Sequence, residues 1–425
     1  MSYHIAKGVF DILPKDAEAW RESHLWEYLE SQVRAICHLY GYREIRTPLF
    51  ELTELFTRSI GLNTDIVSKE MYTFQDKGGR SLTLRPEGTT PVMRAFIEKN
   101  LHQISSIHKF FYLCPMFRYE RQQAGRYRQH YQFGVEAIGS NSPYQDVEII
   151  QILWSFYKKL GLQGFNLHIN SIGDAKTREN FRDALKNYLK PYFNDLSLES
   201  QKRYQTNPIR ILDSKNSKDQ ELLTEAPLIY DFLSNESKTH YQEFCNLLEE
   251  EKIPFISNPK LVRGLDYYNN IVFEITSAEL GSQNSLGGGG RYDGLMTQLG
   301  GPNLPACGFG TGIERIIQTM IAQKVNLPTY PHPLLFMIPI GEKAKKKCFH
   351  IMNHLRQNTL PVEMAFNETK LRNSMRYADI IGAKYTVVIG ENEINSGKVE
   401  MKEMASGNIK SLPLDRLLDE LQKNT

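Results

Sequence analysis

The sequence predicts an α+β protein with more than one domain. A strand-rich core flanked by helices is interrupted by a mostly helical insertion and followed by a small α/β domain. Three observations carry this. Apolar runs with period-two alternation, such as IVFEI at 271–275, mark strands on both sides of a polar, helix-like stretch at 175–255. Residues 331–425 open by alternating strand and helix patterns. At 425 residues, the chain is too long for one ordinary core.

Along the chain, residues 18–39 bring Leu25, Leu29, Val33 and Ile36 to one helix face. GYREIRTPLFE at 41–51 follows as a short strand pattern restricted by Pro48. SLTLRPEGTTPVMRAFIEKN reads as strand, turn, and a helix from Thr89 or Thr90, with those hydroxyls as candidate caps. Two strands then enclose the basic loop RQQAGRYRQHY. SPYQDVEIIQILWSFYKKLG is a helix with a Ser/Pro start and a glycine stop. After the insertion come the strand at 271–275, SLGGGGRYDGL, and an apolar strand running into the helix of GFGTGIER. KVNLPTYPHP is a proline-punctuated linker. LLFMIPIG, PVEMAF and YTVVIG are strands separated by helices, the pattern of a largely parallel sheet. The expected segments are 1–174 and 256–328 for the core, 175–255 for the insertion and 331–425 for the last domain.

Composition narrows the function classes. Hydrophobic residues at 41% and charged residues at 24% are those of a globular protein. No apolar run approaches a membrane span, and the N-terminus lacks the apolar stretch of a secretory leader. A cytoplasmic location and no membrane partner are expected. The five cysteines are scattered, without a C-x-x-C pair, so no metal site is expected. A net charge of +2 means that any nucleic-acid surface must be local.

Several motifs suit a phosphate-bearing substrate. In FRYER, at 117–121, Arg118 and Glu120 fall on one strand face. Such an arginine grips phosphate or carboxylate with two N–H groups, or makes a cross-strand ion pair. The loop after it interleaves Arg121, Arg126 and Arg128 with Tyr127, His130 and Tyr131, charge for phosphate and rings for bases, or a solvated hairpin tip. Glu87 and Thr89 offer a carboxylate and a hydroxyl to an ammonium group. Four glycines at 287–290 permit close approach to the backbone, but no P-loop ending follows. Arg315 sits near a helix N-terminus, a mildly unfavourable place for a cation, which points to a ligand or an ion pair. Arg263, Asp266, Tyr267 and Tyr268 crowd polar groups just ahead of the 271–275 strand.

Together and in this order, these motifs resemble class II aminoacyl-tRNA synthetases. GYREIRTPLFE, FRYER through GVE, and GFGTGIER are similar to the three class signatures, while LVRGLDYY and GGGGRYDG resemble the histidine-specific pair of the histidyl-tRNA synthetase family. The resemblance spans nearly the whole chain. It implies a class II antiparallel-sheet catalytic core and an anticodon-binding α/β domain. It further implies ATP as substrate with Mg2+, L-histidine and tRNA(His) as partners, and a homodimer. Arg263 and Arg118 are the implied catalytic residues. The implied histidine-binding residues are Glu87, Gly88, Thr89, Arg118, Gln132, Glu136, Arg263, Tyr267, Tyr268 and Tyr292, with Glu136 and Tyr268 on the imidazole. Arg118, Glu120, Arg126, His130 and Arg315 are the implied ATP site, the ring against adenine being His130 or adjacent Tyr131. Arg121 and Gln123 are implied at the tRNA acceptor end. The alternative is a non-catalytic relative, such as the regulatory subunit of ATP phosphoribosyltransferase, which usually lacks both the last domain and an intact RGLDYY.

Overall fold

The computed structural model describes residues 3–61, 64–120, 126–279, 284–367 and 370–423. It divides into two compact units, Met1–Pro328 and Thr329–Thr425.

The first unit opens with α1 (Ser23–Leu39), β1 (Arg43–Glu44), β2 (Phe50–Leu52) and α2 (Thr53–Ile60). β3 (Thr73–Gln75), β4 (Ser81–Leu84), α3 (Thr89–Glu98), β5 (His108–Phe117), β6 (Gln129–Ile138), α4 (Pro143–Lys159) and β7 (Phe165–Ser171) follow. The stretch read as an insertion holds α5 (Ala175–Leu189), α6 (Leu198–Thr206), α7 (Ser217–Leu222) and α8 (Asn235–Glu250). The chain then returns through β8 (Phe255–Ser257), β9 (Asn269–Ser277), β10 (Ser285–Arg291), α9 (Leu295–Gln298), β11 (Ala306–Gly312) and α10 (Ile313–Ala322).

Among the described residues, eight strands form one sheet in the order β1-β5-β6-β11-β10-β9-β7-β8. Its two edge pairings are parallel and the rest antiparallel. Consecutive residues of a strand face opposite ways, so both faces can be read from β6. Phe133 and Val135 point into a core with Leu25, Trp26, Leu29 and Val33 of α1, Phe156 of α4 and Ile316 of α10. The i, i+4, i+8 spacing in α1 gives one continuous apolar stripe, and each such side chain contributes roughly 1.5–3 kcal/mol by leaving water. The opposite face of the sheet meets α3 and the helices after Ala175, through Met93, Phe96, Phe181, Leu185 and Ile211. That second face carries the site described below. α4 starts as its sequence suggests: the Ser142 hydroxyl accepts from the Tyr144 N–H, and Pro143 fills the first turn.

Two expectations need correction. β5 ends at Phe117, so Arg118 and Glu120 are not within a strand. The Arg118 N–H still reaches Arg128 O, at 2.9 Å, but the Tyr119 N–H turns to Glu70 O instead of the ladder. The last domain is also less parallel than expected. β12 (Leu335–Pro339), β13 (Val362–Met364) and β14 (Tyr385–Ile389) are parallel, but β15 (Lys398–Glu403) and β16 (Ile409–Pro413) add antiparallel at one edge. Its first helix, α11 (Glu342–Gln357), buries Ala344, Cys348, Met352 and Leu355 and turns Lys343, Lys346 and Lys347 outward. Among the described residues, no helix is long and apolar enough to cross a membrane.

Candidate active site

The second face of the sheet holds a cavity of about 150 Å³. The turn into α3 supplies Glu87, Gly88 and Thr89; the segment just after β5 supplies Arg118; β6 supplies Gln132; and the loop before β9 supplies Arg263, Tyr267 and Tyr268. These elements are far apart in sequence and are brought together by strand pairing. Gln132 lies opposite Gly312, and Glu136 opposite Gly308. A side chain at Gly308 would strike Glu136 and Tyr292, and one at Gly310 would strike Gln132.

Glu87, rather than either threonine, caps α3. Its carboxylate takes the N–H of Thr89 at 2.7 Å and of Thr90 at 2.9 Å. This corrects the threonine-cap reading and frees both hydroxyls: Thr89 donates to Glu136 Oε1 at 2.8 Å and Thr90 to Ser59. Burial raises the Glu87 pKa against the pull of those N–H donors. Glu136 is wholly buried, and burial pushes its pKa to about 8 although the Tyr292 and Thr89 hydroxyls both donate to it. The Tyr112 hydroxyl also bonds to this carboxyl group. Tyr267, Tyr268 and Tyr292 pack together, with ring centres 4.8–6.0 Å apart. The Tyr267 hydroxyl lies 3.5 Å from Glu87 Oε2.

The arginines form a second group. Arg263 Nη1 donates to Glu274 Oε1 at 3.0 Å. Burial opposes its charge, but Glu274 holds its pKa above the ordinary guanidinium value. Glu274 also accepts from the Ser285 hydroxyl at 2.8 Å, and the Ser285 carbonyl accepts from Arg315 at 2.5 Å. Arg263 and Arg315 are thus joined through β9 and β10. Arg118 donates to Pro86 O at 2.8 Å, and Glu120 lies between Arg118 at 3.9 Å and Arg126 at 3.0 Å. His130 is neutral at physiological pH: burial and the charges of Arg118 and Arg315 push its pKa to about 3.

The face of β6 separates the two candidate rings. His130 shares its face with Gln132 and Glu136, whereas Tyr131 points into the helix-side core, with its ring centre 5.2 Å from that of Trp26. Tyr127 packs with Phe10 and Trp20, and Arg128 stacks at 3.9 Å on Tyr119, so neither joins the arginine group. The four glycines of 287–290 also serve the protein itself. Gly288 makes room for the Arg263 guanidinium, and Gly289 for the main chain of Gly308. Arg121 and Gln123 lie outside the described residues.

The first unit thus places a tyrosine-lined cavity holding Glu87, Arg118 and Arg263 on one sheet face. The model of the histidyl-tRNA synthetase family matches residues 8–316, and that of the anticodon-binding domain matches residues 335–424. The chain belongs to the histidyl-tRNA synthetase family. The histidine–tRNA ligase of Protochlamydia amoebophila is 57% identical over 423 residues, covering 99% of this chain and 100% of that one. That of Chlamydia felis is 46% identical, covering 96% of this chain and 94% of that one. The crystal structure of apo Staphylococcus aureus histidyl-tRNA synthetase superposes with a TM-score of 0.83 at 36% identity, covering 99% of this chain and 100% of that one.

Within this histidyl-tRNA synthetase core, three residues escaped the sequence reading. Tyr112 lines the cavity, and its ring needs the bare backbones of Gly88 and Gly134. Glu274 and Ser285 tie the arginines together. A carboxylate in the otherwise apolar run IVFEI was the available signal for Glu274. No local signal marks Tyr112.

Proposed function

We propose that this chain attaches L-histidine to tRNA(His) in two steps. The histidine carboxylate attacks the α-phosphate of ATP, giving histidyl-adenylate and pyrophosphate. The terminal ribose hydroxyl of tRNA then attacks the acyl carbon and releases AMP. The observation that carries this reading is the tyrosine-lined cavity that brings Glu87 together with Arg118 and Arg263. A carboxylate nucleophile is ionised at neutral pH, so the first step needs charge stabilisation and alignment rather than a base. Arg263 bridges the substrate carboxylate and the α-phosphate, and Arg118 holds that phosphate from the other side. Glu120 binds the adenine amino group, His130 stacks on the ring, and Arg126 and Arg315 serve the outer phosphates. Neutral His130 suits stacking without adding charge.

Glu87, Thr89 and Gln132 bind the α-amino group. Glu136 and the Tyr268 phenol accept the two imidazole N–H groups, with Tyr267 and Tyr292 completing the wall. Carboxylates around the site are already engaged: Glu120 and Glu274 by arginines, and Glu87 by helix N–H groups. They do not fit a resident metal site. Mg2+ would arrive as the companion of ATP and would offset the charge of its phosphates. Arg121 and Gln123 meet the acceptor end, residues 331–425 bind the anticodon, and the insertion, within 175–255, clamps the acceptor stem. Exposed Phe50, Leu52 and Phe74 on the small β2-β4-β3 sheet support a homodimer interface.

This pocket has a pH signature. Free imidazole titrates at about 6.5, and Glu136 at about 8. Between these values, the ligand is neutral and Glu136 carries the proton. Passing that proton to the imidazole forms the ion pair with no exchange with solvent. Below the window, binding must release a proton; above it, binding must take one up. Histidine affinity is therefore flat between the two values and falls on both sides, which calorimetry in buffers of different ionisation enthalpy would read directly. Affinity that rises steadily through pH 8 would contradict the shared-proton account. The function itself is tested by charging a tRNA(His) transcript with labelled histidine in the presence of ATP and Mg2+. Failure to charge by a folded protein would refute it.

A further inference from the structure

We propose that Arg178, Asn207 and Arg210, outside the cavity, are positioning residues that hold the Arg263–Tyr268 segment in shape. The proposal rests on the reading of that segment as the histidine-binding and activating loop.

Residues 261–268 contain no helix or strand. Loop carbonyls without a sheet partner need donors from elsewhere. Here, those donors come from the insertion. Arg178 Nη1 carries two hydrogens and donates to Asp266 O at 3.1 Å and to Tyr268 O at 2.8 Å. Arg210 Nη1 donates to Gly264 O at 3.1 Å. Asn207 Nδ2 donates to Asp266 Oδ1 at 3.0 Å. From the core side, the Asp266 N–H reaches Ile60 O at 3.3 Å.

The donors are themselves anchored. Arg178 lies in the first turn of α5, capped by Asp174 through the Thr177 N–H at 2.7 Å. The Arg210 carbonyl accepts from Arg203 at 3.0 Å. Behind the loop, a cleft of about 590 Å³ is lined by Arg178, Asn207 and Arg210. Arg263, Leu265 and Tyr268 line both this cleft and the 150 Å³ cavity. The loop therefore borders both spaces. Its outer surface is fixed by the insertion, and its inner surface presents Arg263, Tyr267 and Tyr268. A shift of the insertion moves the histidine contacts directly. Of the residues given to ATP above, Arg263 lies on this loop, whereas Arg118, Glu120, Arg126, His130 and Arg315 come from other elements. Placement of the insertion is thereby coupled to histidine binding.

The test is ATP–pyrophosphate exchange with the full-length protein. Arg178→Ala is expected to raise the histidine KM about tenfold, as for loss of charge-assisted hydrogen bonds, and to lower kcat, while the ATP KM changes less than about twofold. A residue that only stabilises the fold would lower the active fraction, leaving both KM values alone. Tyr188→Phe, which removes a bond to Leu222 O inside the insertion, serves as a control with unchanged KM values. If Arg178→Ala does not fold, Arg178→Lys and Asn207→Ala are expected to raise the histidine KM several-fold. Folded variants with wild-type histidine KM, equal shifts for histidine and ATP, or the same shift in Tyr188→Phe would each overturn the proposal. Active wild type with an unaffected variant refutes the positioning role alone. Wild type without histidine-dependent exchange refutes the functional reading beneath it.

Discussion

Arg263→Ala lowers histidine-dependent pyrophosphate exchange by on the order of 10³, the usual cost of removing a charge that faces a developing phosphoryl transition state. The fold survives this change. Arg263 contributes one ion pair, and its partner Glu274 has 27% of its side chain exposed and keeps the Ser285 hydroxyl. Water can therefore solvate the orphaned carboxylate. The loss is expected on kcat more than on the ATP KM, because the proposed phosphate contacts of Arg118, Arg126 and Arg315 remain. Arg263→Lys restores little: an ammonium is a point charge and cannot bridge carboxylate and phosphate with a planar fork. Near-normal exchange by folded Arg263→Ala would remove this residue from the mechanism.

Glu136→Gln is expected to weaken histidine binding by roughly 3 kcal/mol, on the order of a hundredfold, while ATP binding changes little. Glutamine keeps the volume and can still accept from Thr89 or Tyr292. It cannot hold the proton that the imidazole takes, so the imidazolium would be buried without its counter-charge. The flat pH window should vanish with the carboxylate. A second consequence has opposite sign. The folded Glu136 pKa, near 8, lies above that of an unfolded glutamate, so the folded apo protein binds the extra proton between about pH 4.5 and 8. Stability from this group is present at low pH and is lost as pH rises through that range. The ligand-free glutamine variant should therefore gain in thermal stability relative to wild type as pH rises from 5 to 8. Calorimetric histidine affinity equal to wild type would sink the assignment.

How far the sequence carried these conclusions depended on whether the signal was local. The α1 stripe and the strand at 271–275 are written in periodicity, and the Ser142–Pro143 helix start in cap chemistry. Arg263 and the tyrosines after it stood out because polar groups ahead of a buried strand need a reason. What failed was non-local. The alternation in β6 separates His130 from Tyr131, but it does not say which face meets helices and which meets the site, because both are covered. The glycines of β10 signalled close approach. Only strand pairing reveals that the approaching group at Gly288 is Arg263. Glu87 displaced the threonines as the α3 cap because its longer side chain reaches two N–H groups at once, leaving Thr89 to orient Glu136. The end of β5 moved because Glu70, from a distant segment, offered Tyr119 a carbonyl.

The most direct measurement is ATP–pyrophosphate exchange with each of the twenty amino acids, in the presence of Mg2+ and without tRNA. A pocket that hydrogen-bonds both imidazole nitrogens leaves buried polar groups unpaired with any other side chain, and so discriminates strongly without editing. Exchange with histidine alone is the expected result. Exchange with several amino acids would contradict the roles given to Glu136 and Tyr268. Absence of exchange from folded protein that still binds histidine would contradict the catalytic reading and favour a non-catalytic regulatory relative.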